Sequence, residues 1–320
     1  MWHQSLQLKG YFKKRFNNIA FLSITSFIMC DISYATDKTL QGGGTSSWIV
    51  QCTAWLCGTQ SASDKLTISN GDNSGNFTFT SINFQTATIG GDRKLEINTS
   101  PVSGKITIDR LFTSYAGTTG FNASLSVNAN THIKSLEYIN SATPLKGTTI
   151  NVSVGATNNN NTTTYTKDLV VDKISFNNNG LAGTNGTINL MAKDITIGIA
   201  AGRLSQNLNV NADGSIKVNQ VYFDGISGVG GFAVIPRSTI VFDAKGGSFT
   251  SGSVTGMGHS NIYIKAKDKV MIDNLTFAVD ICITEPCAGY IQLQSTDSGV
   301  IVKNLSGGTT NESGIGSIYI

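Results

Sequence analysis

The chain has 320 residues, enough for a sizeable core or one long repeat array, with a net charge of +3 and only 13% charged residues. Its lysines beyond the N-terminus stand singly or in pairs, so no basic stripe marks a nucleic-acid partner. Gly (35) and Asn (29) are abundant, Glu numbers four, and Thr, Ile and Val are common. That balance favours strands joined by Gly/Asn turns over helices.

In chain order, "KKRF" (13–16) reads as the basic region and "IAFLSITSFIMC" (19–30) as the apolar region of a secretory signal. The apolar run is too short for a comfortable membrane span. "SYA" (33–35) supplies small residues for cleavage after Ala35. A lipoprotein anchored at Cys30 is the rival, but Met29 stands where that signal wants a small residue. Residues 1–35 are therefore set apart as a signal peptide.

Beyond Cys30, four cysteines form two pairs, Cys52/Cys57 and Cys282/Cys287, each with four residues between. Export places them in an oxidising compartment, where two local disulfides are expected. A four-thiolate zinc site is the sharper alternative, although the pairs lie far apart and the spacing is not that of a zinc finger. Trp48 and Trp55 lie beside the first pair. An aromatic, cross-linked segment at 36–60 suits an N-terminal cap on a repeat array, whose first unit needs cover. A carbohydrate-stacking site is the functional reading of the same tryptophans.

From Lys65 onward short strands follow one another, among them "KLTIS" (65–69), "KLEIN" (94–98) and "TINVSV" (149–154). Each alternates with period two, and Gly/Asn turns separate them. A repeat emerges on a small residue and an acid or lysine before the second strand: Thr166-Lys167-Asp168, Ala192-Lys193-Asp194, Ala212-Asp213, Ala244-Lys245, Ala266-Lys267-Asp268 and Thr296-Asp297. The steps of 19 to 32 residues are too short for propeller blades and fit one coil each of a parallel β-helix. The expected fold is all-β, a right-handed parallel β-helix, with a β-sandwich as runner-up. "GATNNNNTTTYT" (155–166) interrupts the array, so residues 155–163 are expected as an Asn-rich linker between a first part (61–154) and a second part (164–320). The second part ends inside a strand, which reads as a truncated array.

No catalytic constellation stands out. Ser74 in "GDNSG" (71–75) misses a serine-protease signature by one insertion. His132 and His259 have no neighbouring acid or cysteine at triad or metal-ligand spacing. Asp168, Asp172, Asp194, Asp213, Asp243, Asp268, Asp273 and Asp297 mostly recur at one repeat position, which suits turn residues bonding the backbone two positions on. Asp109-Arg110 and Asp92-Arg93 are adjacent in sequence, hence on opposite strand faces and poor dyads. "GISGVGGFAV" (225–234) lacks the spacing of a phosphate loop. Asn98 in "EINTS" is a candidate bacterial glycosylation acceptor. No catalytic residue, cofactor or metal ligand is assigned.

Two segments resemble the passenger domains of vacuolating-cytotoxin-like autotransporters. "THIKSLEYINSA" (131–142) is similar to a stretch near the end of one passenger subdomain of that family. "NADGSIKV" (211–218) is similar to a second stretch, and an Asn-rich linker lies between the two in both cases. The resemblance covers under a tenth of the chain. It implies a secreted or surface-displayed β-helical fragment that travels through the periplasm and an outer-membrane barrel not contained in these residues. It also implies a host-cell receptor or glycan as partner, homo-oligomerisation and adhesion by binding, without catalysis. The family's apolar, Gly-spaced pore segment has no counterpart in the polar residues 36–60. The alternative expectation is a secreted β-helical polysaccharide lyase or hydrolase.

Overall fold

The computed structural model describes residues 35–51, 62–69, 71, 74–86, 91–115, 120–139, 147–177, 186–203, 206–224, 238–257, 260–279, 288–309 and 315–320. The alternation of apolar and polar residues becomes a succession of strands. The first are β1 (Ala35–Gln41), β2 (Gly44–Gln51), β3 (Ala62–Ser69), β4 (Phe77–Thr86), β5 (Arg93–Thr99), β6 (Lys105–Tyr115), β7 (Asn122–Val127) and β8 (Asn130–Ile139). The middle of the chain adds β9 (Thr149–Val154), β10 (Ala156–Asn159), β11 (Thr162–Tyr165), β12 (Leu169–Asn177), β13 (Gly186–Ala192), β14 (Ile195–Arg203), β15 (Gln206–Ala212) and β16 (Ile216–Asp224). Then follow β17 (Ser238–Ala244), β18 (Phe249–Met257), β19 (Ser260–Ala266), β20 (Lys269–Val279), β21 (Ala288–Ser295), β22 (Gly299–Thr309) and β23 (Ile315–Tyr319).

Two long parallel sheets collect them. The first runs β1-β3-β5-β7-β9-β13-β15-β17-β19-β21-β23, the second β2-β4-β6-β8-β12-β14-β16-β18-β20-β22. The chain is therefore an all-β parallel solenoid, each coil giving one strand to each sheet. Aligned residues in successive coils are 20 apart at Asn189/Asn209 and 38 apart at Asn151/Asn189. The uneven period is absorbed between strands, because the register is set by like residues stacking and not by loop length. One such column, Ile150, Ile188, Leu208, Ile240, Ile262 and Ile291, is buried throughout. Each member stabilises the stack by about 1.5–3 kcal/mol relative to exposure.

The two corners of a coil differ. Where the first sheet hands over to the second, the small residues of the sequence repeat stack directly: Ala192 on Ala212, Ala244 and Ala266, all buried. Their size admits a tight turn. At the far ends of the second-sheet strands, aromatic residues alternate with glycines in register, as Phe176, Gly202, Phe223, Gly256, Phe277 and Gly307. A Cβ on Gly202 would lie 2.6 Å from the Phe223 ring, so the glycine makes the space into which the neighbouring ring lies. Phe176 and Phe223 meet edge-on across it, with centroids 6.1 Å apart.

One expectation changes. Residues 155–163 are no linker between two parts: β10 and β11 form an antiparallel hairpin, while β8 pairs with β12 and β9 with β13 straight across it. Left-handed backbone at Asn160 (φ 46°) and Asn161 (φ 65°) closes the two-residue turn, a conformation asparagine tolerates. The segment expected as a cap supplies β1 and β2, the edge strands of both sheets; there the indole N–H of half-buried Trp48 donates to Asp64 at 2.8 Å. In β20, Val270 and Ile272 face inward and Met271 faces out.

Other expectations fall on residues outside the described ones. The disulfides expected between Cys52 and Cys57 and between Cys282 and Cys287 are among them, since all four cysteines lie there. So do the signal region 1–34, Trp55, His259 and the Gly-rich 225–234.

Candidate functional site

The recurring acids of the repeat fall at the tight corner, and several polar side chains there tie one coil's turn to another's. Asp194 Oδ1 accepts from the Ser215 N–H at 2.6 Å, Asn130 Oδ1 from Asp168 N–H at 3.0 Å, and Ser215 Oγ from Ser248 N–H at 3.1 Å. The expected bond within the same turn gives way to one between turns, because the next coil lies only ~4.8 Å along the axis. Asp213 Oδ2 instead takes the Tyr165 N–H at 2.6 Å, which fastens the hairpin against the turn two coils on. Ser74 Oγ, the weak nucleophile candidate, accepts from Asn76 N–H at 3.2 Å in an exposed turn.

A charged strip follows the outside of the second sheet. Its strands break their alternation once: Asp172 and Lys173 both face out between buried Val171 and Ile174. Asp109 and Arg110 likewise share the outside between Ile108 and Leu111. The strand must bend there for both flanking apolar residues to point inward, so the period-two rule that separated Asp109 from Arg110 does not hold. Neither residue bonds the other. Lys134 pairs with Asp109 at 2.8 Å, and Arg110 grips both oxygens of Glu137 at 3.0 and 2.7 Å. The Arg110 hydrogen bonds hold the Glu137 carboxyl below its ordinary range against the opposing effect of burial. The Asp109 hydrogen bond raises Lys134.

His132 Nε2 lies 2.9 Å from Asp172 Oδ1 in the same strip. Sequence spacing offers His132 no acid, and the fold supplies one from 40 residues away. His132 stands in register with Val170, so a full coil of sequence separates the two and no local spacing reveals them. The pair can orient an imidazole. Among the described residues no group of three metal-binding side chains forms. Arg93, adjacent in sequence to Asp92, is buried and donates to the carbonyls of Gln85, Gly91 and Asp92, fixing the entry into β5. Burial lowers its pKa.

The outside of the first sheet is a flat polar wall. One outward column runs Ser124, Asn151, Asn189, Asn209, Val241, Tyr263 and Gln292 in register. Within it Asn189 Nδ2 donates to Asn151 Oδ1 and Asn209 Nδ2 to Asn189 Oδ1, both at 2.7 Å. Identical amides one coil apart form such a ladder because each has a donor and an acceptor at the stacking distance. On the adjacent column Asn207 donates to Thr187 Oγ1 at 3.4 Å. Asn98, the candidate glycosylation acceptor, is half-buried on β5 and donates to Glu96 at 2.6 Å.

Comparison of the chain with protein-family models, with curated proteins and with solved structures found no match. The class that fold and surfaces define is an all-β parallel solenoid with a polar outer wall.

Proposed function

We propose that this chain is a binding passenger of the vacuolating-cytotoxin-like autotransporter class, secreted or displayed on a bacterial surface through the periplasm and an outer-membrane barrel. It acts in adhesion to host cells and not in catalysis. The observation that carries this reading is the outer wall of the first sheet, which repeats Asn, Thr and Ser columns over successive coils at strand spacing. Such a wall offers many weak hydrogen bonds to one extended partner, and the exposed β10–β11 hairpin adds a non-repeating contact beside it. The secretory signal and the two resembling segments support the route. Purified full chain should coat cultured host cells in a saturable manner. Binding no greater than to cell-free plastic would sink the reading.

The second reading, a β-helical polysaccharide lyase or hydrolase, draws on the His132–Asp172 and Lys134–Asp109 pairs sharing one strip. It requires release of reducing or unsaturated ends from polysaccharides, lost in Asp172→Asn.

A further inference from the structure

From the outer wall of the first sheet we infer a binding groove for a neutral oligosaccharide, centred on Tyr263. This rests on the adhesive reading and gives it a ligand class. A groove of about 450 Å³ opens on the wall around Val241, Asp243, Tyr263, Lys265, Gln292 and Gln294, within the ~300–1,000 Å³ of small-ligand sites. It begins where the asparagine ladder stops. Val241 follows Asn209 in the column and offers no amide, so the wall drops to an apolar floor before the Tyr263 ring.

Two columns of polar groups meet there. Tyr263 stands beside Gln292, and Asp243, Lys265 and Gln294 are consecutive in the next outward column. Among the described residues the side chains of Asp243, Lys265, Gln292 and Gln294 have no hydrogen-bond or ion-pair partner, unlike the asparagines of the ladder. Two amides, a carboxylate and an ammonium thus face the groove with their capacity unused. Tyr263 is held in place: Tyr290 meets it edge-on with centroids 5.2 Å apart and a contact between the hydroxyls, and Tyr319 packs edge-on against Tyr290 at 6.0 Å.

This chemistry fits a sugar. A pyranose has an apolar C–H face for the tyrosine ring and the valine floor, and hydroxyls that both donate and accept, as amides do. The formal charges of Asp243 and Lys265 sum to zero at the groove, which favours an uncharged ligand. A peptide strand has no purchase, because β17, β19 and β21 are each paired on both sides.

The test is saturation-transfer NMR on the full chain with hexasaccharides of glucose, galactose and xylose, and a heparin hexasaccharide as the acidic arm. The expected result is transfer to at least one neutral hexasaccharide. Binding should weaken about tenfold in Tyr263→Ala and in Gln292→Ala, and hold in Glu137→Gln on the other sheet. Circular dichroism confirms that each variant is folded; Gln292 is exposed, so its variant stands if Tyr263→Ala does not fold. No transfer to any neutral sugar at about 10 mM, binding unchanged in both groove variants, or binding to heparin alone would overturn the proposal. Cell adhesion measured in parallel separates the two readings. Adhesion without sugar binding removes the groove and leaves the adhesive wall, whereas sugar binding without adhesion removes the adhesive reading and leaves the groove.

Discussion

One outward column of the first sheet is used in two ways. From Asn151 to Asn209 its side chains bond one another, and the column is wall. From Val241 to Gln292 the same register positions bond nothing in their own column, and the wall opens into a groove. The backbone is the same in both regions. A ladder needs the same amide on each coil, so one change to valine ends it and leaves the next polar groups for a ligand.

The largest effect is expected beneath the groove. Phe242 is fully buried under the groove, with its ring 5.2 Å from Phe249. Phe242→Ala should cost about 3–5 kcal/mol in urea unfolding and collapse the groove. Asn189→Ala removes both ladder bonds of the middle rung and should cost about 1–2 kcal/mol, read as a lower urea midpoint. Val241→Asn should extend the ladder by one rung. It is expected to raise stability by about 0.5–1 kcal/mol and fill the groove, seen as a higher urea midpoint and lost sugar binding. An unchanged or lower midpoint would show that register alone does not make a ladder.

The smallest effect is electrostatic and lies on the other sheet. The lowered Glu137 carboxyl contributes stability above the ordinary glutamate value of about 4.3, and that stability is lost as pH falls through the lowered folded value. With the Arg110 side chain 45% exposed, the contribution is about 0.5 kcal/mol. Glu137→Gln should therefore be slightly less stable than the parent chain at pH 7, and the difference should shrink as pH falls below the lowered folded value, as read by urea midpoints.

Much of the wall is legible in the chain. Alternation marks the strands, the small residues of the repeat mark the tight corner, and Asp194 and Asp213 do sit in its turns. The bond partners are not legible, because they lie one or more coils away. Asp194 reaches Ser215, and His132 reaches Asp172. Asp109 and Arg110 come to one side only because the strand bends to bury Ile108 and Leu111 together. Even Asn158–Thr163, with its run of four asparagines, reads as a linker until Asn160 and Asn161 turn left-handed and the strands pair around them.

The sequence by itself determined that this protein is strand after strand with one buried face, since period-two patterning and turn residues act locally. The tertiary structure decided which residues become neighbours. Stacking sets the register, and register turns distant asparagines into a ladder and places Val241 between Asn209 and Tyr263, where the ladder ends and the groove begins.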